Sequence, residues 1–249
     1  VIDGVRCYCM FIGYPRSGHS LVGSLVGAHR NAVISHELDA LRYVQTGLIG
    51  RDLLYSMILR RDREFGKAGR RWTGYDYSVP GQSQGRVEDL LVIGDKRGGG
   101  STRRLGAHPD LLDRLERLVD VDVRLIHVIR DPYDTIASMH RRGRQPLTAS
   151  IERFFALCAT NASIREHRPG AVVDVRVEEL IRRPAETVAG LVGSIGLDAP
   201  ETYLGACAGI VFATPKRTRT SIDWPDHLIA DVAHRMSSYD FLRGYSYEG

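Results

Sequence analysis

Two stretches of this 249-residue chain combine residue types suited to holding phosphate or sulfate. The first, Gly13-Tyr-Pro-Arg-Ser-Gly-His-Ser20, follows a short apolar run and precedes a segment rich in Leu, Val and Ala, so a glycine-bounded turn joins a strand to a helix. Backbone amides in such a turn, with the helix N-terminus behind them, attract an anion. The glycine spacing is that of a P-loop, yet His19 stands where the lysine of that loop belongs. Without that lysine and the hydroxyl after it that holds magnesium, ordinary ATP or GTP chemistry is disfavoured. Arg16 instead offers a fork of donors able to hold a nucleotide phosphate and touch the group being transferred. The second stretch, Val128-Ile-Arg-Asp-Pro-Tyr-Asp-Thr-Ile-Ala-Ser138, puts Arg130 at a strand end and Ser138 two helical turns further on, a pair able to fix another phosphate. Asp131 can cap that helix and Pro132 can occupy its first position. The competing reading of Arg130 is a surface ion pair with Asp131 or Asp134.

These residues need a frame, and the hydrophobic pattern supplies one. Short apolar runs at 5–12, 32–35, 90–93, 123–129 and 171–177 read as buried strands. Between and after them, helical patterns cover 20–28, 39–63 (one helix or two), 109–119, 131–142, 149–167, 178–182, 185–195 and 225–236. Residues 72–77 alternate aromatic and small side chains, 80–85 form a loop, and 214–220 a basic loop. Strand and helix alternating in this way imply one α/β domain over 1–249, with a central, mostly parallel sheet of about five strands flanked by helices. Ligands of such sheets gather beyond the carboxyl ends of the strands. There the first strand delivers Gly13 to Ser20, the second His36 and Glu37, the third Asp95 and Lys96, and the fourth Arg130.

Composition narrows the partners. Lys and Arg exceed Asp and Glu by 34 to 30, too slight an excess to imply nucleic acid or a polybasic membrane patch. No apolar run approaches a membrane span and nothing resembles a signal peptide, so a soluble, cytoplasmic location is expected. Cys7, Cys9, Cys158 and Cys207 lack the spacing of a disulfide framework, which fits a reducing compartment. His127 lies inside an apolar strand and reads as a core histidine, and the remaining histidines form no ligand cluster, so no metal is expected.

Taken together, the two anion-binding stretches resemble the sulfotransferase family. Its first loop, of the type Y-P-[KR]-S-G-[TS], binds the 5′-phosphosulfate of 3′-phosphoadenosine 5′-phosphosulfate (PAPS), and its R-D-P-x-D-x-x-x-S segment binds the 3′-phosphate. Val175-Arg-Val-Glu-Glu-Leu-Ile-Arg-Arg-Pro184, followed by an apolar helix and Ile195-Gly-Leu197, resembles the family's strand, E-[DE]-L, Pro, helix and G-L succession, so the likeness runs over roughly 5–197. The resemblance implies a PAPS-dependent transfer of sulfonate to a hydroxyl of a small-molecule or carbohydrate acceptor. Arg16, Ser17, Gly18, His19 and Ser20 would then hold the 5′-phosphosulfate, and Arg130 and Ser138 the 3′-phosphate. Departures are visible: His19 replaces the usual Thr or Ser, the K-T-H stretch with the catalytic histidine of the aryl and steroid branch is missing, and so is the R-K-G triplet. Lys216, Arg217 and Arg219 are positional candidates for the late loop over the nucleotide.

An acceptor hydroxyl titrates far above neutrality, so attack on sulfur is helped by a base. Some bacterial carbohydrate sulfotransferases place a glutamate after the first helix much as Ser35-His-Glu-Leu38 places Glu37 here, and His36 is its neighbour and rival. Adjacent side chains of an extended stretch face opposite ways, so one of the two enters the cleft. The other possibility is that Glu37 caps the next helix and His36 packs in the core. Asp95-Lys96 resembles the [DE]-K-[ST] stretch of several carbohydrate-type members, which would bring Lys96 near the sulfonate or acceptor. Gly98, Gly99 and Gly100 would let backbone approach a ligand closely. Tyr75, Tyr77, Gln82 and Gln84 are candidates for the acceptor side. Two alternatives stand beside this reading: a P-loop kinase-like phosphotransferase with an unusual loop, and a nucleotide-binding module that no longer turns over.

Overall fold

A computed structural model describes residues 2–87 and 89–249. Its strands are β1 (Cys7–Gly13), β2 (Ala32–His36), β3 (Arg71–Trp72), β4 (Tyr75–Asp76), β5 (Val92–Lys96), β6 (Asp122–Ile129) and β7 (Val172–Arg176). The helices are α1 (His19–Gly27), α2 (Ala40–Thr46), α3 (Arg51–Lys67), α4 (Gly99–Ala107), α5 (Leu111–Val119), α6 (Pro132–Gly143), α7 (Leu147–His167), α8 (Val177–Arg182), α9 (Pro184–Ser194), α10 (Glu201–Ile210) and α11 (Asp226–Met236). Five strands form one parallel sheet in the order β2-β5-β1-β6-β7. β1 lies at its centre and every one of its residues is buried. Alternate β1 side chains serve opposite faces: Cys9 and Phe11 pack with α1 and α9, whereas Tyr8, Met10 and Ile12 pack with α2, α3 and α5. Connections leave β1 toward β2 and β5 on one side, while β6 and β7 lie on the other. The loops splay apart above β1 and open a cleft at the carboxyl ends of the strands.

Several elements differ from what periodicity suggests. The third sheet strand is shifted to Val92–Lys96, because Gly94 lets it run flush against β1: a Cβ there would stand 2.1 Å from the Cys9 carbonyl oxygen. Residues 72–77 form no sheet strand but a small antiparallel hairpin, β3–β4, turned at Thr73 and Gly74, both with positive φ. Gly99 and Gly100 start α4, a helix that periodicity does not suggest, and Gly98 precedes it. The helix α10 has no counterpart in the sequence reading. Gly205 and Gly209 dilute its helical signal, and it is held by tertiary packing of Tyr203 and Cys207, whose Tyr203 hydroxyl donates to the Leu25 carbonyl at 2.8 Å. Among the described residues no helix is long and apolar enough to cross a membrane.

Candidate active site

Above β1, the turn from Tyr14 to Gly18 leads into α1, and two of its residues take left-handed backbone, Arg16 at φ 72° and Gly18 at φ 96°. The turn is tethered from below. The Gly13 amide donates to Thr102 Oγ1 at 2.8 Å, whose hydroxyl donates to Asn161 Oδ1 at 3.0 Å. Asn161 in turn lies 3.3 Å from His127 Nε2, and His127 Nδ1 donates to Asp174 at 3.0 Å. Burial lowers the His127 pKa, so the ring stays neutral, with Nε2 as acceptor. Helices α4 and α7 therefore hold the turn in place through a buried polar chain.

His19 belongs to that support. Its ring is buried, Nε2 donates to the Ile12 carbonyl at 3.1 Å, and Nδ1 faces the Ser17 hydroxyl at 3.2 Å. Burial brings its pKa down to about 4, so it carries no charge at neutral pH. Ser17 is fully buried, with Oγ 2.9 Å from the Tyr14 carbonyl oxygen. The imidazole also explains the glycines of α4: a Cβ on Gly98 would meet the His19 ring at 2.5 Å, and one on Gly99 would meet Pro15 at 2.6 Å. The close approach that these glycines permit is to the turn itself.

On the β6 side, Asp131 caps α6 by accepting from the amides of Tyr133 and Asp134, with Pro132 in the first turn. The competing reading of Arg130, an ion pair with these acids, is not what the structure has. Arg219, buried and 85 residues downstream of Asp134, takes both carboxylates, at 2.5 Å from Asp131 and 3.2 Å from Asp134. Arg130 instead donates to the Arg16 carbonyl at 3.3 Å, to Thr218 Oγ1 at 3.2 Å and to the Lys216 carbonyl. Arg16 Nε donates to Ser138 Oγ at 3.3 Å, which joins the stretches Gly13–Ser20 and Val128–Ser138 directly. Burial and the neighbouring Arg142 both lower the Arg16 pKa, the signature of crowded positive charge.

On the β2–β5 side, Glu37 follows β2 in left-handed backbone at φ 59°. Asp95 fixes the turn around it, accepting from Ser35 Oγ at 2.7 Å, the Leu38 amide at 3.1 Å and the Ala40 amide at 2.9 Å. Glu37 Oε1 lies 2.7 Å from Lys96 Nζ, and Oε2 pairs with Arg97. Burial works to raise the Glu37 pKa, but Lys96 and Arg97 more than offset it and hold the carboxyl below its ordinary range. Lys96 Nζ, almost wholly buried, also donates to Ser20 Oγ at 3.0 Å, so it bridges the anion-binding turn and Glu37; burial lowers its pKa against the pull of Glu37. His36 does not line the cleft, although its Nε2 lies 3.5 Å from the same Lys96 Nζ. Its ring stacks on Phe65 with centroids 4.0 Å apart, and burial, with Lys96 beside it, lowers its pKa to about 3.

These groups border one cavity of about 920 Å³. Of the residues expected at the site, Arg16, Gly18, His19, Ser20, Glu37, Lys96, Arg130, Ser138 and Lys216 line it, as do Tyr75 and Tyr77. Ser17, His36, Arg217, Arg219, Gln82 and Gln84 do not. Arg217 lies beside Gly249, and Gln84 braces the hairpin by accepting from the Val79 amide at 2.8 Å and donating to the Tyr77 carbonyl at 3.0 Å. The sequence reading passed over Trp72, Arg97, Arg103, Arg153, Phe212 and Thr218, which also line the cavity. Of these, Arg97 could have been found, since it directly follows Lys96 at a strand end. Among the described residues no group of three or more His, Cys, Asp or Glu converges as metal ligands would. The arrangement can hold two anionic groups on the β1–β6 side and present a carboxylate with a buried ammonium beside them.

No protein-family model and no curated protein matches the chain. Solved structures do. The chain is similar to the sulfotransferase domain from the Synechococcus PCC 7002 olefin synthase, at 17% identity over 95% of this chain and 96% of that one, with a TM-score of 0.56. It is similar to the sulfotransferase domain from the curacin biosynthetic pathway, at 13% identity over 95% and 99%, with a TM-score of 0.57. A mouse sulfotransferase, SULT7A1, complexed with PAP, matches at 13% identity over 97% and 90%, with a TM-score of 0.54. The fold is the sulfotransferase fold.

Proposed function

We propose that this chain is a PAPS-dependent sulfotransferase that moves a sulfonate group to a hydroxyl of a small-molecule or carbohydrate acceptor by in-line displacement. The observation that carries the proposal is the meeting of Arg16, Arg130 and Ser138 in one cleft, with Asp131 and Asp134 already taken by Arg219. That leaves Arg16 and Arg130 without a carboxylate partner among the described residues, bound only to neutral acceptors, and able to face the two anionic ends of the donor. Arg16, Gly18, Ser20 and the amides at the start of α1 would take the 5′-phosphosulfate, and Arg130, Ser138 and Lys216 the 3′-phosphate. His19 and Ser17 would act through the shape of the turn, since their side chains are engaged inside it. Similarity of fold to the PAP-bound mouse enzyme supports the same reading.

In the transfer, the acceptor oxygen forms a bond to sulfur as the bond from sulfur to the 5′-phosphate oxygen breaks, and the nucleotide leaves as 3′-phosphoadenosine 5′-phosphate (PAP). Glu37 would take the acceptor's proton. Lys96, already bridging Ser20 and Glu37, would sit between base and donor and offset the charge that grows on the leaving oxygen. A kinase-like reading lacks support in the residues: His19 replaces the lysine and turns inward, and the carboxylates after β6 are bound to Arg219.

Calorimetry with PAP and 5′-AMP tests the assignment. Charge-assisted bonds to the extra phosphate contribute roughly 1.5–3 kcal/mol each, so PAP should bind at least about tenfold more tightly, and Arg130→Ala should remove most of that gap. Equal affinities for the two nucleotides, or magnesium-dependent turnover of ATP, would refute it. PAP binding with no transfer from PAPS to any hydroxyl in a broad panel would favour the non-catalytic module.

A further inference from the structure

The cleft holds far more positive charge than the proposed donor brings negative charge. Nine basic residues line it against one acid, Glu37, a local excess of +8 in a chain whose net charge is +4. Such an excess is not how this protein treats its arginines elsewhere. Among the described residues, 16 of the 24 arginines outside the cleft stand within 4 Å of a carboxylate, whereas of the seven inside it only Arg97 does. The cleft is therefore kept unneutralised from within.

The donor accounts for part of this charge. A terminal phosphate carries up to about two negative charges, and the phosphosulfate adds about two more, together matching Arg16, Lys96, Arg130 and Lys216. Arg97 is matched by Glu37. Arg142 acts on Arg16, and Arg141 donates to Ser221 Oγ at 3.0 Å, so both belong to the donor side near the turn Thr218–Ser221. Arg103 and Arg153 are left. Gly99, Gly100 and Arg103 line the cleft from α4, and Gly100 packs against the Arg97 side chain that reaches Glu37. Arg153 comes from α7, which packs on α4 where Gly106 meets Thr160. Neither has a carboxylate partner among the described residues.

Resting on the sulfotransferase reading, we infer that the acceptor itself is an anion: a hydroxyl compound that also bears a carboxylate, phosphate ester or sulfate ester, which Arg103 and Arg153 hold while its hydroxyl faces Glu37. Two cations that line one cleft without a carboxylate partner among the described residues attract and orient such a group, and a neutral acceptor would leave them unused. The acceptor's charge thus selects the substrate, and the reaction adds a sulfate ester to a molecule already negative.

The test measures binding to the PAP-saturated protein, for matched pairs that differ only in one anionic group: p-nitrophenyl β-glucuronide against p-nitrophenyl β-glucoside, 3-hydroxydecanoate against its methyl ester, and hydroxybenzoate against its amide. The expected result is that in at least one pair the anionic member binds at least about tenfold more tightly, and that R103Q with R153Q abolishes the preference while PAP affinity stays within about threefold of wild type. Equal binding within every pair, including no binding by either member, overturns the inference, as does a preference that survives the double variant. Failure of the unaltered protein to bind PAP is a separate outcome: it overturns the donor reading and this inference with it.

Discussion

Replacing Glu37 by Gln separates a base from a mere anchor. The carboxylate sits between Lys96 and Arg97, with Lys96 almost wholly buried and Glu37 about one-fifth exposed. Removing one partner of a fully buried pair costs about 3–5 kcal/mol, but here the Gln carbonyl can still accept from Lys96, and Ser20 Oγ remains a second acceptor. A loss of about 1–2 kcal/mol is the appropriate scale, which for a chain of this size lowers Tm by roughly 2–8 °C. If Glu37 takes the acceptor proton, kcat should fall by about 10² or more, since the amide keeps the shape but accepts no proton productively. PAP affinity should stay within about threefold of wild type, because Arg16, Arg130 and Ser138 are untouched. The acid limb of the wild-type pH–rate profile should lie below the ordinary carboxylate range, where Lys96 and Arg97 hold this group. Calorimetry, thermal unfolding and steady-state kinetics on the same preparation decide the matter. A kcat within about threefold of wild type, alongside the expected drop in Tm, would refute the assignment and leave Glu37 as the counter-ion that holds Lys96.

Arg219→Met should lower Tm by about 6 °C or more, since it strands Asp131 and Asp134 beside one another; Lys216→Ala, checked by the same melting curves, should leave Tm nearly unchanged and weaken PAP binding. Gly98→Ala should both destabilise the chain and weaken PAP binding, because its Cβ would press on the His19 ring that shapes the anion-binding turn; unchanged PAP affinity by calorimetry would show that the ring gives way freely. Stability should fall on acidification. His36 has a folded pKa of about 3 against an ordinary value of 6.5, so its contribution is fully present above about pH 6.5 and is lost as pH drops toward 3. At pH 5 the loss is about 2 kcal/mol, and the difference in Tm between pH 7.5 and pH 5 should shrink in His36→Asn.

What could be read from the residues in order was whatever depends on neighbours in the chain. The run Val5 to Ile12, the turn after it and the Asp131–Pro132 helix start are local patterns, and the sheet that follows from them has the expected five parallel strands. Choosing between the two readings of Arg130 was not possible at that level, because the answer lies in Arg219, which reaches both acids from far along the chain. His19 illustrates the same limit. Its position suggests a ligand contact, but its two ring nitrogens find partners at Ile12 and Ser17, a matter of packing that spacing does not encode. Strand alternation predicts that His36 and Glu37 face opposite ways, but Glu37 lies past the end of β2 in left-handed backbone, and Phe65 and Lys96 decide that Glu37 lines the cleft. The unpaired arginines of the cleft could not be identified from composition, since a modest net charge hides a strong local one.

The carboxylate of Asp95 has a consequence for how this protein could change. It is one side chain on β5, next to Lys96, and it fastens three points of the segment that carries Glu37. Glu37 and Lys96 are therefore fastened together across the β2–β5 strand pair. The β3–β4 hairpin can be exchanged with little effect on where Glu37 and Lys96 stand, whereas α2 and α3 pack on β1 and must keep Leu41, Leu54, Tyr55 and Ile58. A library that randomises residues 71–76 while leaving Ser35, Asp95 and Lys96 untouched would thus vary one wall of the cleft, at Trp72, Thr73 and Tyr75, over a fixed Glu37–Lys96 pair.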